Sequence, residues 1–180
     1  MGGSSAQATP VASQLNAPVD EGKINIEVTF PTDGQYIAFV DFRPSGGNNI
    51  SLAVPIKVGA VRATAITLTP DTSLTRPVGD LLVTLQLNGA LVAGQDNLLS
   101  FTTIDSKGQS RNEEIELLSG NECALYVIDE KSTTFLRPDL TDRGKLQFSV
   151  NFPKPGKYKV WFDFIYANKQ RQISYVLDVK

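Results

Sequence analysis

From Gly144 onward apolar and polar residues alternate with period two. Leu146, Phe148, Val150 and Phe152 fall on one side, and Lys145, Gln147, Ser149 and Asn151 on the other. This is the pattern of a strand with one buried face. After a turn, Tyr158, Val160, Phe162 and Phe164 resume it. The same stretch stands 122 positions upstream without a gap, Gly22 aligning with Gly144. There the apolar positions are Ile24, Ile26, Val28 and Phe30, then Tyr36, Ala38, Val40 and Phe42. Both copies are joined by Pro-x-x-Gly-x-Tyr, from Pro31 to Tyr36 and from Pro153 to Tyr158. Proline fixes φ and glycine supplies a positive φ, so each connection can turn the chain from one strand to the next.

The remaining pattern predicts strands almost throughout. The first copy gives three: Gly22–Phe30, Tyr36–Arg43 and Ile50–Val58, with Pro44 to Asn49 as a hairpin turn. Ile50, Leu52, Val54, Ile56 and Val58 share a side; Pro55 lies on the other and lacks a donor, which fits an edge strand or a bulge. Residues 59–79 form a connection with one strand at Thr64–Thr69, then breakers at Pro70, Asp71, Pro77 and Gly79. Leu81, Val83, Leu85 and Leu87 alternate with Leu82, Thr84, Gln86 and Asn88. Further runs follow at Asn97–Thr103, Cys123–Ile128 and Lys131–Leu136, then the repeated pair and a last strand through Ile173, Tyr175, Leu177 and Val179. Glu113–Leu118 fits a short strand or one helical turn.

The fold expected is all-β. An immunoglobulin-like antiparallel sandwich spans about 60–180, a related three-stranded half-module spans 21–59, and a flexible tail covers 1–20. The Tyr of each connection resembles the tyrosine corner of immunoglobulin-like domains. The Cys that follows it by two residues in antibody domains is replaced by Ala38 and Val160. In immunoglobulin terms the half-module supplies strands E, F and G without A to D, and three strands cannot cover their own apolar face. That face is expected to pack on the carboxy-terminal domain or on strands of another copy. A tail segment such as Val11 to Leu15 could likewise pair with a sheet edge in another subunit.

Composition narrows the chemistry. The chain of 180 residues carries a formal charge of -2, which gives no case for nucleic acid or an anionic membrane surface. No apolar run approaches the roughly 20 residues that span a bilayer. Met1-Gly-Gly-Ser-Ser reads as an expression scar, and Ala6-Gln7-Ala8 resembles a signal-peptide cleavage site, so an extracytoplasmic location is expected. There is no His, which removes the commonest general base and metal ligand and rules out Ser-His-Asp and Cys-His arrangements. The single Cys, Cys123, cannot form an internal disulfide or a thiolate zinc site; it reads as a small buried hydrophobe or, alternatively, a reactive or bridging thiol. No enzyme activity, cofactor or metal is expected.

The candidate binding residues are Trp161, Asp163 and Phe39. Asp163 and its counterpart Asp41 each follow an aromatic by two positions, Trp161 and Phe39. Parity puts Trp161 and Asp163 opposite the core face, where a large aromatic marks an inter-domain contact or a binding platform. Asp163 is expected to be solvated or bonded to a lysine. Asp105-Ser106-Lys107-Gly108 and Asp139 to Asp142 lack the ligand density of a calcium loop and read as turns. Gly46-Gly47 is a hairpin turn, not a phosphate loop. A protein partner or self-association into a homo-oligomer is the expected mode of action.

One family resemblance adds to this. Ala93-Gly94 before a strand, Asp105 to Gly108, the strand ending Val127-Ile-Asp129, Phe135 to Pro138 and, above all, Phe152-Pro-Lys-Pro-Gly-Lys-Tyr158 followed by Phe162-Asp-Phe164 resemble exported bacterial domains of the YtkA-like or heavy-metal-associated type. The resemblance implies an exported β-sandwich. In that group, His-x-His-Pro and a His opening the Val-Ile strand are linked to metal, usually copper. Here those places hold Phe135-Leu136-Arg137-Pro138 and Cys123-Ala124, so the alternative, a periplasmic copper chaperone or sensor, would have a degenerate site.

Overall fold

The structure is a computed structural model that describes residues 28–42, 45–47, 50–60, 67–117 and 125–180. The chain divides between Thr32 and Asp33 into two units, and all the described strands lie in the second. Of the predicted strand Gly22–Phe30, residues 28–30 carry no strand pairing and the rest lie outside the described residues. The tail, residues 64–66 of the predicted strand Thr64–Thr69, Arg43 and Cys123 also lie outside them, and residues 67–69 carry no strand pairing.

The first two strands, β1 (Gly34–Phe42) and β2 (Ile50–Val58), form an antiparallel hairpin of their own. The sandwich follows. One sheet has the order β3-β4-β5-β10-β9, from Thr75–Val78, Leu81–Leu87, Asp96–Ile104, Gln147–Asn151 and Asp139–Asp142. The other has the order β12-β11-β7-β8, from Lys169–Val179, Gly156–Tyr166, Leu125–Asp129 and Phe135–Leu136; β6 (Glu116–Leu117) extends it beside β11. All pairings are antiparallel. The orders A-B-E-D and G-F-C-C′ of the immunoglobulin fold are recovered with β3 as an added edge. Among the described residues, no helix is long and apolar enough to cross a membrane.

The apolar sides read from the sequence meet between the sheets. Val83, Leu85, Leu99, Phe101, Phe148 and Val150 face Tyr158, Val160, Phe162, Phe164, Tyr175 and Leu177 in one core. Phe101 stacks on Phe162 with ring centroids 4.1 Å apart, and Phe148 meets both edge-on at 6.0 and 6.1 Å. Offset and edge-to-face pairs of this kind add about 0.5–1.5 kcal/mol each beyond their buried area. Leu146 belongs to the same core but sits in a left-handed turn at φ 46°, so the strand begins one residue later than the alternation suggests.

Two details depart from the expected elements. Residues 75–78, where Pro77 predicts a break, are strand β3; its edge position leaves Pro77 without a donor to supply. Asp139 to Asp142, where the sequence predicts a turn, is the short edge strand β9. Glu113–Leu118 contains both of its alternatives, a 3-10 turn at Asn112–Glu114 followed by β6.

The corner is formed as its sequence implies. The Tyr158 hydroxyl donates to the Lys154 carbonyl at 2.8 Å while its ring is buried against Phe152, at a centroid distance of 4.8 Å. Tyr158→Phe keeps the ring and strands that carbonyl, so it should cost about 1 kcal/mol of unfolding free energy by urea denaturation with an unchanged m-value. No loss would mean that the corner is held by Pro and Gly alone.

Candidate functional site

Lys159, Trp161 and Asp163 point away from the core on β11, yet every residue from Tyr158 to Phe164 is buried. A strand buried on both faces requires a second layer, and residues 67–71 supply part of it. The Leu68 N–H donates to the Glu130 carboxylate at 2.8 Å, at the end of β7. Asp71 exchanges two hydrogen bonds with Val176 on β12: its N–H donates to the Val176 carbonyl at 2.9 Å, and its Oδ2 accepts from the Val176 N–H at 2.7 Å. The segment therefore passes over β11 on the outer side, with Leu68 buried beneath it. Asp71 also pairs with Arg76, whose guanidinium donates to the Ser174 carbonyl at 2.7 Å. These contacts close the free edge of β12.

Trp161 is 6 % exposed in this arrangement, and the Lys159 ammonium lies 5.0 Å from its ring centroid. A cation over an indole face is attracted by the ring quadrupole, the more so when both are shielded from water. Burial, first of all, holds the Lys159 pKa below the ordinary lysine value.

Asp163 is 1 % exposed, which corrects the expectation of a solvated or lysine-bonded carboxylate. It bonds to Gln172, its cross-strand partner on β12, and its Oδ1 meets no donor. Burial pushes its pKa up, and the Gln172 bond opposes that only in part. Parity identified the face correctly. It could not reveal the covering layer, which comes from a segment about 90 residues away in sequence.

Phe39 is placed differently. It stacks on Phe135 of β8 at 4.4 Å and 13°, and Phe135 lies 6.1 Å from Tyr126 of β7. Tyr126 is the register partner of Trp161. Trp161 and Asp163 thus share one strand face, while Phe39 packs on Phe135 at the β8 edge of the same sheet. The side chain of Asp41 and all of Cys123 lie outside the described residues.

The hairpin carries a feature that none of the candidate residues captured. Val40, Ile50, Leu52 and Val54 are 37, 39, 49 and 45 % exposed. By register Val40 lies opposite Leu52 and Ala38 opposite Val54, so these side chains form one apolar face. In the carboxy-terminal copy the matching pairs are Phe162 with Ile173 and Val160 with Tyr175, all of them in the core. The signal was present in the repeat: an F-G hairpin without its opposing sheet exposes its core side.

Acidic turns elsewhere are saturated by their own chain. Asp105 pairs with Arg111 at 2.6 Å and accepts N–H bonds from Gln109 and Lys107 at 2.9 and 2.8 Å, which brings its pKa down to about 2. A surface depression lined by Ser110, Arg111, Asn112, Glu113, Glu114 and Gly144 has Arg111 as its one cation, held by Asp105 and Glu114. Among the described residues, no three of His, Cys, Asp and Glu converge as a metal site.

Residues 77–180 match a domain of unknown function, DUF8832. The chain belongs to that family. No curated protein matches the chain. The DUF8832 region begins within β3 and runs to Lys180, so it covers the sandwich, including Trp161 and Asp163. It leaves out the β1–β2 hairpin with Phe39 and the exposed apolar face.

Burial of Asp163 makes the stability of the fold depend on pH. Its folded pKa is raised, so the folded chain binds the proton more tightly than the unfolded chain. Stability contributed at this site is present below the unfolded pKa and is lost as pH rises through the folded value. Asp163→Asn keeps an acceptor for Gln172 and cannot ionise. It should be more stable than the parent by about 1–3 kcal/mol at pH 7, with the gap closing towards pH 4 in urea titrations. A gap that grows as pH falls would refute the assignment.

Proposed function

We propose that the protein is a non-catalytic, extracytoplasmic binding or assembly module whose β1–β2 hairpin docks a partner sheet on its apolar face. The observation that carries this reading is the exposure of Val40, Ile50, Leu52 and Val54 on positions that its own repeat uses as core. Contiguous exposed apolar side chains mark interaction sites, because leaving them in water forfeits about 25 cal/mol per Å². Sheet complementation satisfies them by supplying the missing layer. The absence of His from the sequence fits a binding role, and the YtkA-like resemblance together with Ala6-Gln7-Ala8 supports export. The copper-chaperone alternative rests on the resemblance alone.

An apolar fluorescent dye such as anilinonaphthalene sulfonate tests the reading at low protein concentration. The native chain should bind the dye, and the double variant Leu52→Lys, Val54→Lys should lose most of the signal. The unfolding free energy of the variant should change by less than about 0.5 kcal/mol, as for exposed positions in general. A parent chain that binds no dye while remaining natively folded would mean that the face is already covered, and the docking reading would fall.

A further inference from the structure

We infer that Asn88-Gly89, in the connection between β4 and β5, is a self-modifying site, whose asparagine converts to aspartate and isoaspartate while the protein stays folded. Asn88 is the only asparagine in the chain that glycine follows. The pair lies just beyond β4, and Asn88, Gly89 and Ala90 are all exposed. Among the described residues the Gly89 N–H meets no acceptor, and the Asn88 side chain makes no hydrogen bond. Nothing lies within 4 Å of where a Gly89 side chain would begin. Its φ of 97° is one that a residue with a Cβ rarely adopts, and without a Cβ the approach to its nitrogen is open.

The reaction needs only this pair and solvent water. The Gly89 nitrogen gives up its proton and attacks Cγ, the carbonyl carbon of the Asn88 side chain. The new N–Cγ bond closes a cyclic imide, the Cγ–Nδ2 bond breaks, and Nδ2 leaves as ammonia with a proton in place of the one Gly89 lost. Water then opens the imide. Cleavage at Cγ leaves aspartate; cleavage at the Asn88 main-chain carbonyl leaves isoaspartate, with an extra methylene in the backbone. Each event consumes one water, releases one ammonia and adds one negative charge to the chain's -2.

The fold separates Asn88 from the other asparagines. The buried Asn97 amide donates to the carbonyls of Val92, Gln95 and Val150, and the buried Asn112 amide to those of Phe101 and Gly144, so neither side chain can turn towards the next nitrogen. The fold also accommodates the product. The one bond at the site, from the Asn88 N–H to the Leu98 carbonyl, is long at 3.4 Å. Before it, β4 and β5 are paired up to Leu87 and Leu99; after it, Leu91 and Ala93 exchange backbone bonds with Lys180 at 2.9 and 2.8 Å. The added methylene and charge fall on the exposed residues between those two anchors, where a chain tolerates change best.

Peptide mapping by mass spectrometry tests this on the full chain aged in mildly alkaline buffer. The peptide holding Asn88 should gain about 1 Da and split into two chromatographic forms, aspartate and isoaspartate, as ammonia is released. Peptides holding Asn97 and Asn112 should stay unchanged. The urea-unfolded chain should convert at Asn88 no more than about tenfold faster, because an exposed loop is already open in the fold. Asn88→Gln, which would have to close a larger ring, should show no conversion. The aged parent should unfold at the same urea midpoint as the fresh protein. Asn88 that stays intact in the native chain, conversion spread equally over Asn97 and Asn112, aspartate formed without isoaspartate, or an aged chain that has lost its fold would each overturn the inference.

Discussion

Seven consecutive residues of β11, Tyr158 to Phe164, are shielded from water, and such a strand needs a layer on each side. On the inner side the layer is the sheet carrying Phe101 and Phe148; on the outer side it includes the crossing segment 67–71. Much else in the carboxy-terminal unit follows from serving those two sides. The tyrosine corner delivers the chain from β10 in one sheet to β11 in the other. The tight turn at Ala167 and Asn168, both at positive φ, sends it straight back as β12 with the twist a two-residue hairpin demands.

The edges are handled as carefully as the faces. An unpaired strand edge is a template for unwanted pairing. Here β12 gives its Val176 backbone groups to Asp71 and its Ser174 carbonyl to Arg76, β3 carries Pro77, and β9 is short with an aspartate at either end. The contrast with β1–β2 is what gives the hairpin its meaning. A polypeptide that caps one F-G hairpin this thoroughly presents the apolar side of the other to water.

Period-two alternation was enough to place most strands, because side-chain direction in a strand is a local property. The corner was readable for the same reason: Pro, Gly and Tyr act within six residues. The missed strands, β3 and β9, contain Pro77 and paired aspartates, which argue against a strand everywhere except at a sheet edge, and edge position is a property of the whole sheet. Asp163 was assigned to the correct face and the wrong environment. Its burial depends on a layer laid over β11, and no local pattern in β11 announces that layer.

The two copies of the repeat separate what sequence dictates from what context dictates. Each encodes a corner and a hairpin, and each hairpin forms with antiparallel register, Tyr36 against Ile56 in one and Tyr158 against Leu177 in the other. The strand instruction therefore holds in either setting. Burial differs: Phe162 and Tyr175 are enclosed, while Val40, Leu52 and Val54 stand in water. The divergence between the copies follows that difference. Large aromatics occupy the enclosed positions, where each can bury on the order of 150–250 Å². Val40 and Val54 occupy the positions equivalent to Phe162 and Tyr175, where a large ring would only enlarge the apolar surface left in water.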